Sequence, residues 1–258
     1  MISVTVVIPF FNSSGTIERA ILSCLYQSLL PKKILIVDDF SRKNERKKLL
    51  GIVNFFKKKL NITILSSPKN LGPGSARNLG WNFAKTKYIA FLDSDDSWHH
   101  KKLEIQYSLM ERYSLLISAH KSTTNFDSTF ENYNLKYNFK YINLPRFLIS
   151  NQFTTPSVMI RTNIAFRFKE KKFYTEDYLL WLRLLINNYK IAFIDCTMTY
   201  IHKPLLGFSG LSGNIKNMRK GEVDTYYDLY KEKLINVLIY LLLVNLSKLK
   251  SFGKWLLR

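Results

Sequence analysis

Tyr88-Ile89-Ala90-Phe91-Leu92-Asp93-Ser94-Asp95-Asp96 decides how the rest of the chain is read. Its first five residues are all apolar or aromatic, which suits a strand covered on both faces. Three carboxylates, Asp93, Asp95 and Asp96, then arrive within four positions. At the C-terminal end of a central strand, such a cluster points into the crevice where open α/β sheets bind ligands. Carboxylates packed this closely repel one another unless a cation sits among them. A hard divalent ion with oxygen ligands, Mg²⁺ or Mn²⁺, suits such a place and is commonly shared with a substrate's phosphates. The plainer alternative is an acidic turn capping a helix that starts near Trp98, with Asp96 or Ser97 at its N-cap.

Upstream, the β-branched run Val4-Thr5-Val6-Val7-Ile8-Pro9 predicts a first strand. Pro9 should end it, because proline cannot donate to a ladder. Phe10-Phe11-Asn12 follows as a loop, and Thr16 can N-cap a helix whose apolar face is Ile17, Ala20, Ile21, Cys24 and Leu25. Lys33 to Val37 predicts a second strand ending in Asp38-Asp39. Leu49, Val53, Phe56 and Leu60 mark a second helix, and Ile62 to Leu65 a third strand. A Gly/Pro turn, Asn70 to Gly74, opens a third helix carrying Ala76, Leu79, Gly80 and Phe83. Strand and helix alternate four times up to the acid-tipped strand. That order predicts an α/β fold with a mostly parallel sheet and helices on both faces.

Downstream, the pattern predicts a helix over His99–Arg112 and strands over Leu115–Ala119 and Ser157–Arg161. A further helix over Tyr178–Tyr189 and two last strands, Ile191–Ile194 and Thr197–His202, complete the core. Residues 120–141 are polar and aromatic without a period, as a binding loop or a decorated surface excursion would be. The core therefore reads as residues 1–214, followed by a tail, 215–258. Lys233 to Ser247 of the tail is nearly all apolar, but shorter than the roughly 20 residues that a bilayer span needs. Lys248, Lys250, Lys254 and Arg258 follow, with Trp255 among them. This composition suits a helix lying in a membrane interface against anionic lipid, or one packed on the domain or in a dimer contact.

The chain has 258 residues, 47% of them hydrophobic, enough for one large α/β domain. Its formal charge of +20, from 39 basic and 19 acidic residues, implies an anionic partner. Cys24 and Cys196 form no metal-spacing motif, so a reducing compartment is expected. The start of the chain runs straight into a strand, without the pattern of a signal peptide. The charge alone would also fit a nucleic-acid-binding protein. No nucleic-acid motif is present, however, and the acids cluster where a binding groove would repel phosphate.

Four further features sit where they could join the acids. Asp39 ends the second strand, where acids often accept hydrogen bonds from a nucleotide. Asn70-Leu71-Gly72-Pro73-Gly74-Ser75-Ala76-Arg77 opens a helix whose backbone amides, with Arg77, could hold phosphate. Arg77 stands where the dinucleotide fingerprint has its third glycine, so that fingerprint is absent. Glu176-Asp177 begins the late helix after Thr175, either as dipole-complementing acids behind an N-cap or with one of them a general base. His202 follows the last strand and could complete an oxygen-rich metal site.

Val6 to Asn12, Val37-Asp38-Asp39, Asn70-Leu71-Gly72 with Ala76-Arg77-Asn78, Phe91 to Asp96, and Thr175-Glu176-Asp177, in that order, resemble family 2 glycosyltransferases. The resemblance covers roughly residues 3 to 205. It implies the GT-A fold and an inverting transfer of a sugar from a nucleoside diphosphate sugar, with uridine the commonest base in the family. By the same resemblance Pro9, Phe11, Asn12, Asp39, Asn70, Arg77, Asp93 and Ser94 surround the donor, with Asp39 facing the base. Asp95, with Asp96 and His202, holds a Mn²⁺ or Mg²⁺ ion on the diphosphate. Asp177 is the base that deprotonates the acceptor hydroxyl, with Glu176 the second choice. Tyr200-Ile201-His202 matches a late family motif near the metal. Tyr178-Leu179-Leu180-Trp181 departs from the family, whose members often place Gln or Arg after the acidic pair. A nucleotidyltransferase on the same sheet would carry a Gly-rich basic signature in place of Pro9-Phe10-Phe11-Asn12. The resemblance thus predicts an enzyme of bacterial surface polysaccharide or lipopolysaccharide synthesis. Its acceptor would be a glycan or lipid-linked, and it would be cytoplasmic, held peripherally at the inner face of the cell membrane by its tail.

Overall fold

Four apolar runs form the middle of the sheet: β1 (Ile2–Phe10), β2 (Pro31–Asp38), β3 (Ile62–Ser66) and β4 (Tyr88–Phe91). A computed structural model describes residues 1–125, 137–202 and 213–256, the last six by backbone alone. Residues 126–136 of the predicted irregular stretch, and Arg258 of the predicted basic tail, lie outside the described residues.

β1 lies parallel to β2 and β4, and β2 parallel to β3, so the C-terminal ends of all four strands open on one edge. The connections are α1 (Ile17–Leu25), α2 (Lys43–Phe56) and α3 (Pro73–Phe83). The rest of the sheet is mixed. It holds β5 (Ser97–Trp98), β6 (Ile117–Thr123), β7 (Phe139–Tyr141), β8 (Met159–Arg161) and β9 (Ile191–Tyr200), giving the order β3-β2-β1-β4-β8-β6-β9-β5 with β7 also on β9. β8 is antiparallel to β4 and β6, while β6 and β9 run parallel.

Alternation along the strands builds two cores. Val6, Ile8, Ile36, Ala90 and Leu92 face α1, α2 and α4 (Lys102–Arg112), meeting Ile21, Val53 and Met110 there. Val7, Val37, Ile89 and Phe91 point the other way, toward α3, α5 (Leu144–Ile149), α6 (Glu176–Ile186) and α7 (Ile215–Lys231). On that side Trp81, Trp181, Tyr226 and Leu229 are fully buried. The expected helices on both faces are therefore present. α8 (Val237–Leu256) packs back on α7 and α5.

Several boundaries differ from expectation for physical reasons. β1 runs through Pro9 to Phe10, because β4 stops pairing at Val7↔Phe91 and leaves β1 a strand neighbour on one side only. The helix after the acids starts at Lys102 and not at His99, since Ser97 and Trp98 pair with Tyr200 and Thr199 of β9. Lys101 is its N-cap, so neither Asp96 nor Ser97 caps it. The two last strands are one, β9, with register shifts against β6 around Lys121. The tail is two helices, and among the described residues none is long and apolar enough to cross a membrane.

α3 reaches the sheet through Gly80, where an added Cβ would overlap Val7 Cγ1 and lie 3.2 Å from Val37 Cγ2. Gly80→Ala is expected to destabilise the fold by about 1–3 kcal/mol through overpacking, read as a lower urea midpoint with unchanged slope.

Candidate active site

The strand ends, the start of α6 and the later helices enclose one cavity of about 810 Å³. Its walls include Pro9, Phe11, Asp39, Asn70, Arg77 and the acidic cluster Asp93, Ser94, Asp95 and Asp96, with Glu176 and Asp177 opposite. Of the expected site residues, Asn12 and His202 are not in its walls. Asn12 Oδ1 accepts from the Arg42 amide at 2.9 Å, and its own amide donates to Ser41, so it holds the turn after β2. His202 Nε2 is 2.8 Å from Ser97 Oγ, and its backbone amide bonds Asp96, which sets it beside the acids.

Asp39 is a pin as well as a wall. Its amide donates to Phe10 O at 2.9 Å, and its carboxylate accepts from the Leu71 and Gly72 amides at 3.0 and 2.7 Å. Gly72 makes this possible with φ of +87°, a conformation that costs other residues energy. The Gly-rich turn is thus tied to the end of β2. Burial raises the Asp39 carboxyl despite these two amides. Its neighbour Asp38 turns away to pair with Arg46 at 2.8 Å. Phe11 stands half exposed, offering a flat apolar face at the cavity mouth.

Arg77 on α3 is only 4% exposed. Its Nη2 donates to Asp93 Oδ1 at 2.6 Å and its Nη1 to Glu176 Oε1 at 2.9 Å. Expected as a phosphate holder, it is instead the bridge between the acid-tipped strand and α6. Carboxylates on both sides hold its guanidinium charged, above even its ordinary range. Gly74 lies against Glu176 so tightly that a Cβ there would come within 2.8 Å of Glu176 Cγ.

Glu176 and Asp177 are adjacent in sequence and unlike in setting. Glu176 is buried, and burial together with the neighbouring Asp177 pushes it up to about 7. Asp177 is partly exposed to the cavity, where Oδ2 accepts from Thr155 Oγ1 at 2.8 Å and Oδ1 from the Tyr178 amide at 2.7 Å. Thr175 stands at the N-cap position, but its φ is 56° and its hydroxyl bonds Tyr174 O and Thr225 instead of capping.

Asp96 is pushed up to about 8 by burial and by Asp93 and Asp95. Burial likewise raises Asp93, against the pull of Arg77. Arg19 of α1 donates to the Asp95 carbonyl and is a further nearby cation that the sequence did not mark. Among the described residues, no three His, Cys, Asp or Glu side chains already form a metal-binding group. The chemistry of the donor set nevertheless fits a hard divalent ion. Crowded carboxylates are oxygen donors whose charged forms repel one another unless a cation sits among them.

Sequence reasoning missed the far wall: Phe153, Thr154, Thr155, Phe173, Met218 and Arg219. Glu222, Ser247 and Lys250 continue it onto α7 and α8. Thr155 and Phe173 each lie two places before a stretch already singled out, Ser157–Arg161 and Thr175-Glu176-Asp177.

Carboxylates at the ends of the parallel strands thus surround one cleft, with a Glu-Asp helix start opposite. Residues 5–173 match the model of "Glycosyl transferase family 2", and the chain belongs to that family. Among curated relatives, a UDP-Glc:α-D-GlcNAc-diphosphoundecaprenol β-1,3-glucosyltransferase, WfgD of Escherichia coli, is 28% identical over 91% of this chain and 89% of its own length. The amylovoran biosynthesis glycosyltransferase AmsB of Erwinia amylovora is 40% identical over 43% of this chain and 36% of its own. Among solved structures, S. aureus TarS 1–349 in complex with UDP-GlcNAc superposes with a TM-score of 0.67. It is 20% identical, and the match covers 89% of this chain and 67% of that one. A Pyrobaculum calidifontis mannosyltransferase in complex with GDP-Man and Mn²⁺ gives 0.66 at 12% identity, over 89% and 64%. These likenesses establish the fold.

Because Glu176 is raised from 4.5 to about 7, the folded protein holds a proton between those pH values that the unfolded chain releases. Its contribution therefore makes stability fall as pH rises through that window. Glu176→Gln is expected to flatten the fall between about pH 4.5 and about pH 7, measured as urea midpoints across the range.

Proposed function

We propose that this enzyme transfers a sugar, with inversion, from a UDP-sugar to a hydroxyl of a lipid-linked glycan during bacterial surface polysaccharide synthesis. It would act at the inner face of the cell membrane, held there by its C-terminal segment. The observation that carries the reading is that donor-type acids and a candidate base face each other across one cavity. The activity of WfgD, with a UDP-glucose donor and a diphosphoundecaprenol-linked acceptor, supports this donor and acceptor class. UDP-GlcNAc in TarS supports the donor class alone, and GDP-Man with Mn²⁺ in the mannosyltransferase supports only a nucleoside diphosphate sugar accompanied by a divalent ion.

In this reading Phe11 and Asp39 bind the base, and Asp93 takes the ribose or sugar. Asp95 and Asp96 would hold a divalent ion, with His202 beside them. When bound, that ion neutralises charge developing on the leaving diphosphate. Asp177 takes the proton of the acceptor hydroxyl while its oxygen attacks the anomeric carbon opposite the departing phosphate oxygen. Thr155 orients that carboxylate by its hydrogen bond to Oδ2. Glu176, locked on Arg77 and raised toward neutrality, is the poorer base. It serves to aim the start of α6.

Two measurements test the reading. Calorimetric titration with UDP should show binding that needs Mn²⁺ and is lost in Asp95→Ala; no binding by folded wild type under any condition would sink it. Asp177→Asn should lower kcat by about 10²–10⁴ while leaving that UDP binding intact. An active Asp177→Asn enzyme would exclude the assigned base.

A further inference from the structure

The outward side of α8 is mostly apolar, with Asn245 and Lys248 among its leucines. Val237, Leu238, Leu241, Leu242 and Leu249 recur at i, i+1, i+4, i+5 and i+12, which is one stripe of a helix. Leu238, Leu242 and Leu249 are 73, 59 and 67% exposed. Lys248 lies exposed on the same stripe. The opposite side of α8 is committed inward: Leu243 and Ser247 are buried, and Ser247 Oγ donates to Glu222 at 2.8 Å. Contiguous exposed apolar surface of this kind marks a docking face.

We propose that this face lies flat on an anionic bilayer, with its leucines among the acyl chains near the headgroups. The inference rests on the membrane-side reading above and names the surface responsible. Two observations select the occupant. The helix is too polar to span, since no described helix is long and apolar enough to cross a membrane, so an in-plane position is the one that covers its leucines. A second copy would bring one +20 chain against another, whereas anionic lipid supplies the complementary charge.

The placement has a consequence for the reaction. Ser247 and Lys250, on the inner side of the same helix, line the cavity that holds Asp177. Seating α8 on lipid therefore brings the α7–α8 wall of the cavity to within about one helix diameter, ~10 Å, of the headgroups. An acceptor whose lipid stays in the bilayer needs only its sugar to rise that far.

The test is co-sedimentation with vesicles of phosphatidylcholine, with and without phosphatidylglycerol, for wild type and Leu238→Glu/Leu242→Glu. Wild type should bind the anionic vesicles, less so at high salt, and the double variant should bind at least about tenfold more weakly. UDP titration of both proteins reports separately on folding and on the donor site, which the two leucines do not touch. Equal vesicle binding by the two proteins would overturn the proposal. So would a wild-type dimer in light scattering that the double variant dissolves, because the face would then be a protein interface. Loss of UDP binding in both proteins would strike the donor reading, and the vesicle comparison would still decide the role of α8.

Discussion

A buried arginine held between two acids is the constraint on which the site depends. Arg77 reaches from α3 to Asp93, at the end of β4, and to Glu176, at the start of α6. The parallel half of the sheet supplies the first acid, and a helix from the later half of the chain supplies the second. Desolvating these groups is costly, and removing one partner from such a set typically costs about 3–5 kcal/mol because the others are left buried and uncompensated. The bridge fixes the distance between the acid cluster and the α6 N-terminus. Glu176 is consumed in that bridge, which leaves Asp177, one residue on, as the carboxylate that faces the cavity.

The same region concentrates negative charge in a chain that is strongly positive overall. Asp93, Asp95 and Asp96 crowd within four positions, and Asp96 is raised to about 8 by burial and by the other two. Arg77 and Arg19 offset part of this charge without reaching the middle of the cluster. The arrangement is costly when empty and relieved when a cation and an anionic ligand enter together. The surrounding positive field raises the local concentration of such a ligand, while the acids leave room for it only in company with a cation. The donor proposed above, a diphosphate accompanied by a divalent ion, has that composition.

How much was legible in the sequence follows from which forces write a pattern into it. Strands buried on both faces must be apolar throughout, so β1, β2 and β4 stood out, and with them the acids at the ends of β2 and β4. Asp39 and Asp93 stood out as acids close after such runs, and Glu176-Asp177 as an acidic pair opening a helix. Arg77 was visible as a residue but not in its role, since an arginine beside a Gly-rich turn reads the same whether it meets phosphate or carboxylate. Asn12 was overread for a similar reason: an Asn after a strand serves a turn as readily as a ligand. The two-residue β5 and the fusion of the last strands into β9 were hidden, because short pairings depend on partners distant in the sequence. The wall built by Thr155, Met218 and Arg219 was illegible, being made where a loop and α7 meet across the cavity, with no period to mark it.

The match to the family model ends at residue 173, just before Glu176-Asp177. The residues before that limit form the strand ends, the Gly-rich turn and the acid cluster. Those after it supply α6, α7 and α8, hence the candidate base and the helical wall of the cavity. In the proposed reading this is a division between donor and acceptor. A nucleotide and its diphosphate present much the same chemistry to any member of the family, so one framework of acids and backbone amides serves them all. Acceptors differ in sugar, linkage and carrier, and they are met by helices whose contacts with the sheet are side-chain packing and not ladder hydrogen bonds. Such helices can change their outward residues without disturbing the strands. In this chain that freedom has placed leucines on the outside of α8 and a serine and a lysine on its cavity side. One helix thus joins the surface that would meet the carrier to the wall that would meet the sugar.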